Sequence, residues 1–228
     1  ETFSLLEFHS PDGAVEVVPT ALVIAGWTGR DESAVEHHIE ELAAIGVARP
    51  STVPLFYRVG VNQLNQTRAI EVVGPDTSGE VEPVIVHTHG RFLLTVGSDH
   101  TDRALEAHSV ALSKQIASKP IADHAWWRDA VRDLDQLSLT ADVSDDGAAF
   151  HPYQAGTLAM IRPLQELLAG AEAALGSLPE GLVLYCGTVP TIDGKVRPSR
   201  QFRGAISHPA SGQTLKVAYQ TTVLPLVA

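Results

Sequence analysis

Cysteine is almost absent: Cys186 is the single one among 228 residues. An intramolecular disulfide is therefore excluded, and so is a structural zinc site built on several thiolates. A reducing, cytoplasmic setting is the expectation that follows. Long apolar runs are missing too. None approaches the ~18 residues of a membrane-spanning helix. The opening stretch ETFSLLEFHSPDG lacks the basic and apolar regions of a secretion signal, so no membrane partner is expected. Basic residues are scarce: 16 Lys and Arg stand against 27 Asp and Glu, a formal net charge of -11. Such a surface repels a polyanion and argues against a nucleic-acid partner. A small anionic ligand stays compatible if a bound cation supplies positive charge. Neither a G-x-S-x-G elbow, nor a Walker A loop, nor a dinucleotide fingerprint occurs.

What the chain does have is punctuation. Its 18 Gly and 14 Pro are spread along the length, which implies many turns and a β-rich fold. Residues 44% hydrophobic and 19% charged make an ordinary globular composition. The length suits one domain, or a domain with a small N-terminal extension. We read residues 1–25 as a β-hairpin extension and 26–228 as the main domain. Strands are expected near 55–59, 69–73, 80–87, 92–96, 137–143 and 182–186, with a closing hairpin over 201–208 and 214–223. Helices are expected over 31–45, 101–113 and 125–134, with Trp126 and Trp127 as a core and surface pair on the last. A fourth helix falls within 156–175, kinked or begun by Pro163. Strand and helix do not alternate regularly, which disfavours a doubly wound sheet. The fold class expected is α+β, mostly β, with a few peripheral helices.

Three clusters carry chemistry. In Glu80-Val81-Glu82 the two carboxylates share a strand face. They repel unless a cation or proton lies between them, and hard cations such as Mg²⁺, Mn²⁺ or Ca²⁺ want such ligands. The alternative is a solvated strand entrance. Asp99, where a strand should end, is a third oxygen ligand or a helix cap, like Asp102. His38 and Glu41 are three apart and share a helix face. A carboxylate that orients an imidazole makes it a better base; the alternative is an acidic, solvent-facing helix side. His87, His89 and His100 offer a rival zinc site, against which stands their reading as surface histidines. Cys186, in Leu-Val-Leu-Tyr-Cys, reads as a buried thiol.

Taken in order, these segments resemble the fumarylacetoacetate hydrolase superfamily. His38-Ile39-Glu40-Glu41 matches the H-x-x-E of its N-terminal segment, although the preceding Asn-Tyr is Ala34-Val35 here. Pro50 to Phe56 is similar to its P-x-x-P-x-x-F stretch. Glu80-Val81-Glu82 matches its E-V-E strand, and Ser98-Asp99-His100-Thr101-Asp102-Arg103 its metal segment. Ser118-Lys119-Pro120 resembles its G-K-S segment, and Gly181 to Pro190 its G-D-V-I-x-T-G-T-P strand. More narrowly, the chain resembles the uncharacterised bacterial DUF2848 family. The second Asp and the Gln of the metal segment are Ala104 and Glu106 here, and the Gly-Pro after the lysine segment is missing. These departures touch the substrate pocket more than the metal ligands.

The resemblance implies a mixed β-roll and a homodimer. It implies Mg²⁺, Mn²⁺ or Ca²⁺ on Glu80, Glu82 and Asp99, and a small-molecule carboxylate substrate. The activity implied is metal-dependent hydrolysis of an acylpyruvate or β-diketo acid through a metal-stabilised enolate. His38 with Glu41 would activate water, Lys119 would stabilise negative charge, and Arg103, Gly187 and Thr188 would contact substrate. Residue spacing leaves His37 open as the base in place of His38. Oxo-acid decarboxylation, tautomerisation or hydration, or binding without catalysis, are the alternatives.

Overall fold

The structure, a computed structural model, describes residues 5–44 and 47–227. Its centre is a six-stranded sheet. In spatial order the strands are Trp126–Trp127, Arg91–Ser98, Val81–Thr88, Leu182–Tyr185, Ala21–Gly26 and Leu55–Val59. Leu182–Tyr185 runs parallel to Ala21–Gly26 and antiparallel to Val81–Thr88. A five-stranded sheet orders His151–Thr157, Ser138–Ser144, Gln201–Ser207, Thr214–Leu224 and Ala69–Val73. The last two pair in parallel, the rest antiparallel.

The alternation of side chains explains the layering. Val23, Ala25, Ile85, Leu182 and Leu184 point from the six-stranded sheet into one core with Leu139, Ile206 and Val217 of the five-stranded sheet. Leu164, Leu167, Leu168 and Ala171 of the helix Leu164–Leu175 join them. The opposite parity, Leu22, Ile24, Val84, Val86, Val183 and Tyr185, packs on Leu6, Phe8, Val15 and Val17 of the hairpin Leu6–Ser10 and Gly13–Val17. Both faces are buried, so the central strands are continuously apolar. Each large side chain so buried contributes about 1.5–3 kcal/mol. The strand Ala21–Gly26 runs across the boundary expected after residue 25 and pairs with Leu182–Tyr185 on one side and Leu55–Val59 on the other.

The expected α+β, mostly β class holds, and most elements stand where expected. The first helix is Glu32–Ala44; Asp31 accepts the Ser33 and Ala34 N–H groups. The expected end of this helix, Ile45 and Gly46, lies outside the described residues. Pro163 is a start and not a kink: the helix begins at Leu164, and Gly176, at φ 84°, ends it. Two helices need correction. Residues 101–113 hold a short helix, Arg103–Glu106, and the chain resumes helix only at Val110–Ile116, where Ser109 caps the new turn. Residues 125–134 form no helix. Trp126 and Trp127 are an edge strand opposite Leu94 and Leu93, followed by two single 3-10 turns. Both indoles are buried, one toward each core. Pairing to the sheet edge outweighed local helix preference there. Among the described residues no helix is long and apolar enough to cross a membrane.

Candidate metal centre

The strands Val81–Thr88 and Arg91–Ser98 are joined by the tight turn His89-Gly90, both at positive φ. That hairpin sets the register of everything below it. Val81 faces Ser98 and Glu82 faces Gly97. One step further the Asp99 N–H donates to the Glu80 carbonyl at 3.0 Å. Asp99 therefore stands across from Glu80, and Glu82, two residues on, shares their face. One carboxylate oxygen from each of Glu80, Glu82 and Asp99 lies within 4.8 Å of the others. No other trio of His, Cys, Asp or Glu among the described residues is so arranged.

Two glycines make room. A Cβ on Gly97 would lie 2.6 Å from the Tyr185 ring and 2.9 Å from the Pro120 carbonyl oxygen. That same Tyr185 hydroxyl donates to the carbonyls of Lys119 (3.1 Å) and Pro120 (3.0 Å), fixing the segment that carries Lys119. Gly187, at φ 90°, turns against Thr28, and its N–H donates to Glu82 Oε2 at 2.8 Å. The Thr188 hydroxyl donates to the Val81 carbonyl at 2.6 Å and accepts from Gln154 at 2.8 Å. As placed, the Gly187 N–H holds Glu82, and the Thr188 hydroxyl holds the start of its strand.

Electrostatics at the triad are extreme. Asp99 is fully buried between two lysines. Lys114 Nζ donates to its Oδ2, and Lys119 Nζ lies 3.1 Å from its Oδ1. The second contact is ionic, since its geometry gives Oδ1 no hydrogen bond. Burial alone would raise the Asp99 carboxyl, but the two ammoniums outweigh it and hold it well below the usual range. Glu82 goes the other way. Burial, then the charge of Asp99, push it well above the usual range, against Lys114 and the Gly187 N–H. For Lys119, burial and the neighbouring Lys114 charge outweigh Asp99 and bring it down to about 8. Lys119 also donates to the carbonyls of His100 (2.6 Å) and Ala117 (3.2 Å).

Arg103 flanks the triad. Its Nε donates to Ser78 at 2.7 Å, its Nη1 to Glu106 at 2.9 Å, and its Nη2 lies 3.3 Å from Glu80 Oε1. That Nη2 is buried without a hydrogen-bond partner. Asp102 caps the helix through the Leu105 N–H, whereas Asp99 lies beside the Glu80 and Glu82 carboxylates.

The rival histidine cluster is not assembled. His100 is buried, and neither of its nitrogens is free: Nδ1 lies 2.9 Å from the Tyr219 hydroxyl and Nε2 2.9 Å from Thr77 Oγ1. Burial brings its pKa down to about 3. The surface reading suits His89 but fails for His100, which is buried against Tyr219 and Thr77. His87 stacks on Phe92.

His38 and Glu41 do share a face, with Nδ1 3.6 Å from the carboxylate, but His37 also approaches Glu41, at 3.4 Å. All three are exposed. Among the described residues no hydrogen bond or ion pair joins them to the triad. A chain of aromatic contacts does lead inward. The His38 ring lies 6.0 Å from Trp27, whose indole N–H donates to the Tyr57 hydroxyl at 3.2 Å, and the Tyr57 ring centroid is 5.8 Å from Lys114 Nζ. Trp27 sits at φ 61°, a costly conformation for a bulky side chain. Trp27, Tyr57 and Lys114 were not singled out from the sequence. Each lacks a local signal, and only the fold brings them together.

This arrangement belongs to a mostly β, α+β protein of the fumarylacetoacetate hydrolase-like fold, with an all-carboxylate centre at the mouth of a hairpin. The chain belongs to the family described as "Protein of unknown function (DUF2848)", whose model matches residues 25–219. Solved structures share the fold at low identity. One, described as "Crystal structures of Cg1458", is 14% identical with a TM-score of 0.64, over 96% of this chain and 99% of that one. Another is "2-keto-3-deoxy-D-arabinonate dehydratase complexed with magnesium and 2,5-dioxopentanoate". It is 14% identical with a TM-score of 0.62, over 94% of this chain and 78% of that one. No curated protein matches the chain.

Proposed function

We propose that this protein is an enzyme that uses a divalent cation at Glu80, Glu82 and Asp99 to transform a small 2-oxo acid without hydrolysis. The observation that carries it is the convergence of three carboxylates with Lys119 and Arg103, while His38 and Glu41 stand apart at the surface. The donor set fits a hard ion: all ligands are oxygens, and Asp99 Oδ1 makes no hydrogen bond. Mg²⁺ and Mn²⁺ are the ions proposed. When bound, such an ion supplies Lewis-acid polarisation of adjacent substrate oxygens.

The chain's own residues do the rest. Arg103 Nη2, buried and without a hydrogen bond, binds the substrate carboxylate. Lys119, fixed by two carbonyls, faces negative charge that develops on the substrate oxygen and takes or returns the proton beside the carbonyl. Gly187 and Thr188 orient Glu82 and the strand end. The dehydratase of like fold supports the same class, loss of water from a 3-deoxy-2-oxo acid.

Hydrolysis of an acylpyruvate is the second reading, and the H-x-x-E spacing favours it. It requires His38, oriented by Glu41, to reach a water at the triad, and so a movement of the helix Glu32–Ala44. The deciding experiment incubates the Mg²⁺- and Mn²⁺-loaded protein with 3-deoxy-2-oxo sugar acids and with acylpyruvates, in water enriched in ¹⁸O. Loss of water from the former, with no labelled carboxylate from the latter, is the expected result. Labelled acid from an acylpyruvate would move the assignment to hydrolysis, and no turnover of either class would remove the enzyme reading.

A homodimer is proposed as well. Val223, Leu226 and Val227 are exposed apolar residues at the end of the chain, and the family resemblance points the same way. Light scattering at micromolar concentration is expected to give about twice the 24.3 kDa of the chain. A mass of one chain would end the proposal.

A further inference from the structure

The two lysines on Asp99 are not equivalent. Lys119 is anchored three ways, by Asp99 and by the carbonyls of His100 and Ala117. Lys114 hydrogen-bonds to Asp99 Oδ2 alone among the described residues. It projects from a helix of seven residues, Val110–Ile116, and its Nζ also feels Glu80 and Glu82. Burial opposes the charge on Lys114, but the three carboxylates outweigh burial and keep it an ammonium. A positive charge thus sits on the oxygen group that is proposed to hold a divalent ion. An ion on the triad and this ammonium would share one carboxylate group, and two cations a few ångströms apart repel.

We propose that Lys114 is an intramolecular competitor for the divalent cation, holding Asp99 until an ion displaces it, and so sets how tightly the triad binds metal. This rests on the metal reading given above. The side chain is flexible, and the ring of Tyr57, with its centroid 5.8 Å from Nζ, offers the displaced ammonium a face to rest on. Lys119 stays in place, because two backbone carbonyls hold it whatever happens at Asp99.

Calorimetric titration of Mn²⁺ into metal-stripped protein tests this, with Lys114→Met, Lys114→Gln, Lys114→Arg and Glu82→Gln beside the wild type. Lys114→Met is expected to bind Mn²⁺ at least about tenfold more tightly, within the ordinary range for two coupled ligands. Lys114→Arg, which keeps the charge, is expected to bind no more tightly than wild type. Should the methionine variant not fold without metal, Lys114→Gln, which can still donate to Asp99, is read in the same way. Equal or weaker binding by the neutral variants, with the wild type binding and Glu82→Gln not, overturns the competitor while leaving the metal centre intact. Binding by none of them, wild type included, removes the metal centre and the competitor with it.

Discussion

Replacing Asp99 by Asn is expected to lower the melting temperature of the metal-free protein by roughly 6–20 °C. The argument is one of stranded charge. Asp99 is fully buried, with an ammonium against each of its oxygens. Asn keeps the shape and removes the charge, leaving Lys114 and Lys119 facing each other in a dry site. Breaking a buried pair in this way costs about 3–5 kcal/mol, most of it the burden of the orphaned partner. In a chain of this size each kcal/mol is worth roughly 2–4 °C. Calorimetry of the stripped protein measures the shift directly. A fall under about 2 °C would mean that the lysines do not depend on Asp99 in solution. The same variant is expected to lose Mn²⁺ binding, because a ligand is gone. That loss separates it from Lys114→Met, which also disturbs the buried pair but is expected to gain affinity.

The carboxylate centre was legible because its logic is local. Two residues apart on a strand means one face, and a tight hairpin converts sequence distance into register, so that Glu80 and Asp99 meet. The helix Glu32–Ala44 was legible for the same reason: Asp31 supplies a cap, and the apolar positions follow helical spacing. What failed was decided by contacts distant in sequence. Trp126 and Trp127 pair with Leu94 and Leu93, some thirty residues away, and become an edge strand. His100 is drawn inward by Tyr219, which arrives on the last strand. Lys114 follows an unremarkable serine on a short helix, and nothing in Ala-Leu-Ser-Lys-Gln announces that its ammonium ends on Asp99. Gly187 and Thr188 stand at the strand end that the resemblance marked, but their hydrogen-bonding groups face Glu82 and Val81. The motif located them, and only the geometry tells what they hold.

The sharpest division between the two reactions is expected from Lys119→Met set beside His38→Ala. Lys119 is buried at the triad and cannot be replaced by solvent. Removing its charge withdraws the group that faces the developing anion and moves a proton, and a loss of about 10²–10⁴-fold in kcat is expected, the usual contribution of such a group. Methionine keeps the length of the stem, so the packing around it survives. Mn²⁺ affinity, read by calorimetry, is expected to be no weaker than wild type, because a positive neighbour of Asp99 has been lost, not a ligand. His38 is exposed, and its carboxylate partner is the surface residue Glu41. For a reaction without hydrolysis, His38→Ala is expected to cost less than about tenfold, a fraction of what a true general base supplies. His37→Ala is the control, since it leans on the same carboxylate from a position about 100° around the helix. A loss of about 10²-fold or more confined to His38→Ala would show that the helix closes over the site and that water is activated there. The H-x-x-E reading would then be right about the chemistry, and the open position of the helix would be the resting one. A loss confined to His37→Ala would move the base to that residue. Small effects from both, with a large one from Lys119→Met, leave the reacting proton with the buried lysine.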